Sequence, residues 1–264
     1  MLRSSSPDLA SLISRSSLAT CVAVDYSRRA AEYDRGRADE TTDREFWLRG
    51  LVEVGRLREG ERVLDVGAGT GRFAKLLSMT NRVVALDSSE AMLRVARAKG
   101  PFECVEGDGH RLPFRTDAFD LAMVVMVLQH LGDYGAALRD IARVAHRVVV
   151  ATSDMATRRL GILEEAFPSL LAIDRKRFPP IPAIVDALRA AGFRDPLVEE
   201  RAYVRRLATG DQLDRVRHRY LSTFDLLPLG EFERGLRFLE DEMPRRYGDR
   251  FEITARFTFV GATR

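Results

Sequence analysis

The sequence predicts an α/β fold, a doubly wound and mostly parallel sheet, and three observations lead there. Between Glu61 and Val150 short β-branched runs alternate with segments of helical spacing, the pattern of successive βαβ units. The first of these runs leads into three glycines at alternate positions, Gly67, Gly69 and Gly71, directly ahead of a helical segment. Farther on, two extended stretches, Leu197–Leu207 and Phe251–Val260, are placed to pair as the end of the sheet and bring the strand count to seven.

In chain order, residues 1–25 are Ser-rich and lack the continuous apolar stretch of a secretory signal, so they read as a tail; an organelle transit peptide shares the composition. Tyr26–Leu57 reads mostly as helix, because Trp47, Leu48, Leu51, Val52 and Leu57 can share one face. Strands follow at Arg62–Val66, Arg82–Asp87, Glu103–Gly107, Leu121–Val125 and Arg147–Thr152, with helices at Arg72–Leu77, Ser89–Ala98 and Tyr134–Val144. Ile181–Ala191 is a further amphipathic helix stopped by Gly192. Between the last two strands, two helical patterns broken around Pro228 occupy a stretch too long for a plain loop, and 209–247 is expected to be a helical cap over a substrate. The domain expectation is therefore a core of 26–208 with 248–264, carrying the cap.

Composition narrows the classes. Hydrophobic residues make up 45% of the 264 and charged residues 31%, close to ordinary globular usage. The longest apolar run, Leu121 to Leu128, is far short of the roughly 20 residues of a membrane-crossing helix, so no membrane is expected. Two cysteines, Cys21 and Cys104, make neither a disulfide framework nor a four-cysteine zinc site; a reducing cytoplasm fits, and no metal is expected. Only three of the 42 basic residues are lysine, but acids are interspersed among the arginines, so a nucleic-acid partner is disfavoured despite the basic pI.

The chemistry is expected at the strand ends. In Val63-Leu64-Asp65-Val66-Gly67-Ala68-Gly69-Thr70-Gly71 the glycines let the backbone turn sharply and approach a ligand, while the next helix offers its amides. The second strand ends in Asp87, where a carboxylate can accept from both hydroxyls of a ribose. The third ends in Gly107-Asp108-Gly109, another acid beside free amides, and the fourth in Val125-Met126-Val127, where open α/β sheets bind ligands. Any one acid is more often a cap or a solvated residue. Three, each after its own strand, point to one site.

With Ala85-Leu86-Asp87-Ser88-Ser89 and Met92, Gly107-Asp108-Gly109-His110-Arg111-Leu112-Pro113-Phe114 and Phe119-Asp120-Leu121, these segments resemble the class I S-adenosylmethionine-dependent methyltransferases of Rossmann-like fold. More narrowly they resemble the type 11 group, which includes ubiquinone and menaquinone C-methyltransferases. The resemblance implies S-adenosylmethionine as donor and S-adenosylhomocysteine as product. It places Gly67 and Gly69 at the methionine moiety, Asp87 at the ribose, and Asp108 with the Gly109 amide at adenine. Asp65, Ala68, Gly71, Ser88, Met92, Val125 and Met126 complete the implied donor site, with Tyr33 in a segment, Tyr33-Asp34-Arg35, that closes over it. The chain departs from such relatives at Arg143-Val144-Ala145-His146-Arg147, where they carry a Pro-Gly-Gly turn; a shortened connection is expected.

The rivals are an NAD-dependent dehydrogenase, an RNA or protein methyltransferase, and a non-catalytic protein that keeps the donor-binding fold. The dehydrogenase fingerprint G-x-G-x-x-G fails because the third glycine comes one residue early. An Asn/Asp-Pro-Pro-aromatic motif of amino-methylating enzymes is replaced by Met126-Val127-Leu128-Gln129, and neither cysteine is placed as a C5 nucleophile, which favours a small-molecule acceptor. Tyr26, Gln129, Tyr220 and Phe224 are expected to bind that acceptor. His130 is the candidate general base, oriented by Asp154 just past the fifth strand. The sequence leaves the acceptor, the methylated atom and the choice between monomer and homodimer open.

Overall fold

The computed structural model describes Asp34 and residues 44–264. The expectations for the tail 1–25 and for Tyr26 and Tyr33 lie outside those residues. Helix α1 (Arg44–Arg49) runs on into a π-helical turn, Gly50–Val54, and together they bury Trp47, Leu51 and Val54.

The strands are β1 (Arg62–Val66), β2 (Arg82–Asp87), β3 (Glu103–Glu106), β4 (Phe119–Val125), β5 (Ala145–Thr152), β6 (Arg194–Ala208) and β7 (Arg250–Thr263). They form one sheet of order β3-β2-β1-β4-β5-β7-β6, parallel throughout except that β7 runs antiparallel to both neighbours. The seven-stranded, doubly wound expectation is borne out. The strand order reverses between β1 and β4, and the crevice beyond their carboxyl ends is where such sheets bind ligands.

Alternation along β1 explains the two cores. Leu64 and Val66 face the side covered by α4 (Tyr134–Val144) and α7 (Ile181–Ala190), through Leu138, Ile141, Ile184 and Leu188. Val63 faces the other side, where Trp47 and Leu51 pack with Leu77 of α2 (Arg72–Leu77) and with Phe259. Helix α3 (Glu90–Arg97) is capped by Ser89, whose hydroxyl accepts from the Met92 amide. Strands β4 and β5 begin two residues earlier than expected, because Phe119 pairs with Ala145 and the chain passes from α4 into β5 without a loop.

The end of the sheet is longer than its alternation suggested. Strand β5 pairs with β7 only over Thr258–Thr263, whereas β6 and β7 stay paired out to Ala208 and Arg250. The excess is a two-stranded arm whose buried ends, Leu207 and Phe251, enter the core of a helical cap. That cap contains α8 (Thr209–Arg217), a 3-10 turn (Ser222–Leu226) and α9 (Glu231–Tyr247). Its apolar cluster also takes in Leu163 of α5 (Ile162–Ala166) and Leu170 of α6 (Leu170–Arg177), two helices with no counterpart in the sequence reading. The buried residues of α6 are Leu170 and Asp174, so its inward face is half polar and shows no apolar period. Among the described residues no helix is long and apolar enough to cross a membrane.

Candidate functional site

The carboxyl ends of β1 to β4 enclose a cavity of about 280 Å³. Gly67 at φ +72° starts the turn after β1, and a Cβ there would lie 2.7 Å from both methyls of Val127, so that position admits glycine alone. At Gly69 a Cβ would meet nothing within 4 Å, which leaves the backbone open to a ligand in the cavity. Both glycines line it, as do Ala68, Asp87, Ser88, Met92, Asp108, Gly109, Val125 and Met126. Gly71 and Asp65 do not. Gly71 stands at the amino end of α2 against the Phe102 ring.

Asp65 lies under the turn, 1% exposed. Burial first, then the nearby Asp87 charge, push its carboxyl up to about 8 against a backbone hydrogen bond from Ala74. Its Oδ2 has no hydrogen-bond partner. The placement corrects the expectation of a ligand contact: alternation along β1 sends this side chain inward, beneath the site.

Asp87 braces the turn as well as facing the cavity. Its Oδ2 accepts from the Gly69 amide at 2.7 Å and its Oδ1 from the Ser89 amide at 2.9 Å, leaving a second lone-pair direction on each oxygen. Asp108 receives at Oδ1 both the backbone N–H of His110 (2.9 Å) and its ring Nδ1 (2.7 Å), which hold its carboxyl below the usual carboxylate range. His110 also lines the cavity, though its role as a brace was not legible in the sequence. Thr70 does so too, and its hydroxyl donates to Asp34 at 2.6 Å, while Lys99 also bonds Asp34; this ties Asp34 to the glycine turn.

Past β4 the chain leaves extended geometry abruptly. Met126 sits at φ +55°, unusual for a side chain of this size, held by its amide to Ala151 O at 2.8 Å and by Gln129 Nε2 to its own carbonyl at 2.6 Å. This kink delivers a 3-10 turn, Leu128–His130, and sets His130 in the cavity wall. Gln129 is 5% exposed and spends its amide on the kink, which is a bracing role.

The expected pairing of His130 with Asp154 is not formed. Asp154 Oδ1 accepts the Ala156 amide at 2.9 Å, closing a local turn after β5. His130 Nδ1 lies 3.5 Å from Arg177 Nη2 instead. A guanidinium only donates, so a hydrogen bond in that contact has Nδ1 as its acceptor. Tyr220 and Phe224 are likewise apart from the strand-end cavity. Phe224 is 1% exposed between Phe167 and Phe232 in the cap core, and the Tyr220 hydroxyl accepts from Gln212 Nε2 at 3.3 Å.

Residues 64–148 match a family model described as a methyltransferase domain. A ubiquinone/menaquinone biosynthesis C-methyltransferase of Pseudomonas putida is 34% identical over 110 residues, 38% of this chain and 43% of that protein. The match thus spans less than half the length of this relative. Among solved structures, a candidate methyltransferase from an antibiotic biosynthesis pathway of Anabaena variabilis superposes with a TM-score of 0.64 at 21% identity, covering 80% of this chain and 94% of that one. A Haemonchus contortus phosphoethanolamine N-methyltransferase in complex with S-adenosyl-L-methionine does so with a TM-score of 0.52 at 17% identity, covering 83% and 52%. The structural likenesses speak to the fold; the sequence matches place the motif-bearing core from β1 to β5. From β1 to β5 the chain is therefore similar to the methyltransferase domain family and to these C-methyltransferases, and it shares the fold of the solved methyltransferases.

Proposed function

We propose that this protein transfers a methyl group from S-adenosylmethionine to a small-molecule acceptor. The observation that carries the proposal is the convergence of three strand ends on one cavity: the open glycine turn after β1, Asp87 after β2 and Asp108 with Gly109 after β3. The residues fit the donor, since Gly69 leaves room for its methionine part and Asp87 retains free lone pairs for a ribose diol. A dehydrogenase is not favoured by the family match.

When bound, the donor supplies an electrophilic methyl on a sulfonium. The chain's share is to hold the acceptor in line at short range, worth far more here than acid–base help. Val125, Met126 and Val127 form the wall at the end of β4, and the Met126 kink fixes it. His130 lines the same wall and in this proposal positions the acceptor; the carboxylate expected to orient it, Asp154, is bonded to the Ala156 amide instead. The cap 209–247, above α5 and α6, covers the acceptor side in this proposal.

Two measurements test it. Calorimetry with S-adenosylhomocysteine should show binding, and labelled donor offered with small-molecule pools should yield a labelled product; no binding would end the reading. Once an acceptor is found, His130→Ala should lower turnover by less than about tenfold with an unchanged pH profile. A loss of about 10²–10⁴ with an altered profile would reinstate His130 as a base.

A further inference from the structure

The order of the strands lays out the strand-end site as a row. Strand β2 lies parallel between β1 and β3, so the glycine turn, Asp87 and Asp108 stand side by side along one edge of the sheet. A nucleoside whose ribose is at Asp87 and whose amino-acid part occupies the glycine turn sends its base the other way, over Gly107-Asp108-Gly109, and all three of these residues line the cavity. A carboxylate on its own reads a base poorly. It offers two equivalent oxygens, it rotates, and the side chain of Asp108 is 65% exposed, so water competes for either oxygen.

His110 removes that ambiguity. Its backbone N–H and its ring Nδ1 both reach the same oxygen, Oδ1, at 2.9 and 2.7 Å. The backbone bond first and the ring bond second hold the carboxyl below the usual carboxylate range, so Asp108 is an acceptor only and the ring nitrogen donates. The backbone bond closes a local turn that almost any residue could close, whereas the ring bond is particular to His110. From the other side the Arg111 amide donates to the Asp108 carbonyl at 3.0 Å, which fixes the backbone that carries the carboxylate. Among the described residues no donor bonds Oδ2.

We propose that His110 is a positioning residue through which Asp108 selects the base of the donor: with Oδ1 tied to His110, Oδ2 is left to accept from the exocyclic amino group of a 6-aminopurine. This rests on the donor-binding reading above and deepens it, since it adds a residue that sets which purine the site takes. A 6-oxopurine would bring a carbonyl oxygen against Oδ2, acceptor against acceptor, and would leave that oxygen without its bond. A His110 that merely closed the turn after β3, or packed its ring against any base, would strengthen both purines alike and leave the choice between them unchanged.

The test is calorimetry with S-adenosylhomocysteine and its 6-oxo counterpart, S-inosylhomocysteine. Wild type should bind the amino form about tenfold or more tightly, because a hydrogen bond to a charged group is at stake. In His110→Ala that preference should fall below about threefold. His110→Asn, whose side-chain amide nitrogen can donate to Oδ1 as the ring does, should keep most of it. Asp108→Asn supplies an amino group in place of one oxygen and should lose or reverse the preference. Equal binding of the two forms by wild type overturns the proposal. So does a preference undiminished in His110→Ala, even if that variant binds both forms more weakly, and so does a preference for the amino form that survives in Asp108→Asn. If S-adenosylhomocysteine binds wild type in these cases, only the base-selecting role fails; if wild type binds neither form, the donor reading fails and takes this role with it.

Discussion

Replacing Asp87 by Ala separates the two jobs that the structure gives this carboxylate. It accepts the amides of Gly69 and Ser89 at 2.7 and 2.9 Å, and it faces the cavity with the lone pairs that remain. Two ribose hydroxyls donating to a carboxylate would contribute about 1.5–3 kcal/mol each if unshared. Sharing with two backbone donors lowers that figure, so about 1.4 kcal/mol in total, a tenfold weaker Kd for S-adenosylhomocysteine, is the least loss expected. The variant also leaves two amides without their acceptor and loosens the turn, so lost affinity alone could arise indirectly. The deciding assay is calorimetry with S-adenosylhomocysteine and its 2′-deoxy analogue on both proteins. Wild type should prefer the ribose form, and Asp87→Ala should bind both forms equally. An unchanged Kd, or a ribose preference that survives in Asp87→Ala, refutes the reasoning.

Asp65 carries a pH prediction. Its carboxyl titrates at about 8 in the folded protein against 3.8 otherwise, so between those values the folded state binds more protons and stability falls as pH rises. Asp65→Asn should flatten that slope and raise the melting temperature at pH 8 more than at pH 5; an unaltered slope would show that Asp65 is not the group responsible. Phe224→Ala should cost about 3–5 kcal/mol in chemical denaturation while the Kd for S-adenosylhomocysteine holds, because the ring fills the cap core and not the cavity. Unchanged stability with altered acceptor selectivity would instead return Phe224 to the acceptor pocket.

The sequence by itself determined the sheet and the strand ends that line the cavity. Strands β1 and β2 and helices α2 and α4 fall on their expected residues, because a two-residue or 3.6-residue apolar period is a local property that burial in a layered fold enforces. Gly67, Gly69, Asp87 and Asp108 were legible for the same reason: each follows its own strand, and parallel pairing brings strand ends to one edge. Only the tertiary structure decided the rest. It sent Asp65 beneath the turn, gave Asp154 to Ala156, and set Tyr220 and Phe224 in the cap core. It also brought Arg177 and Arg158, 47 and 28 residues from His130 along the chain, to the one buried carboxyl of Asp174. Those contacts join segments that share no period and no motif. Their partners are chosen by how helices pack over the sheet, which depends on the whole chain at once.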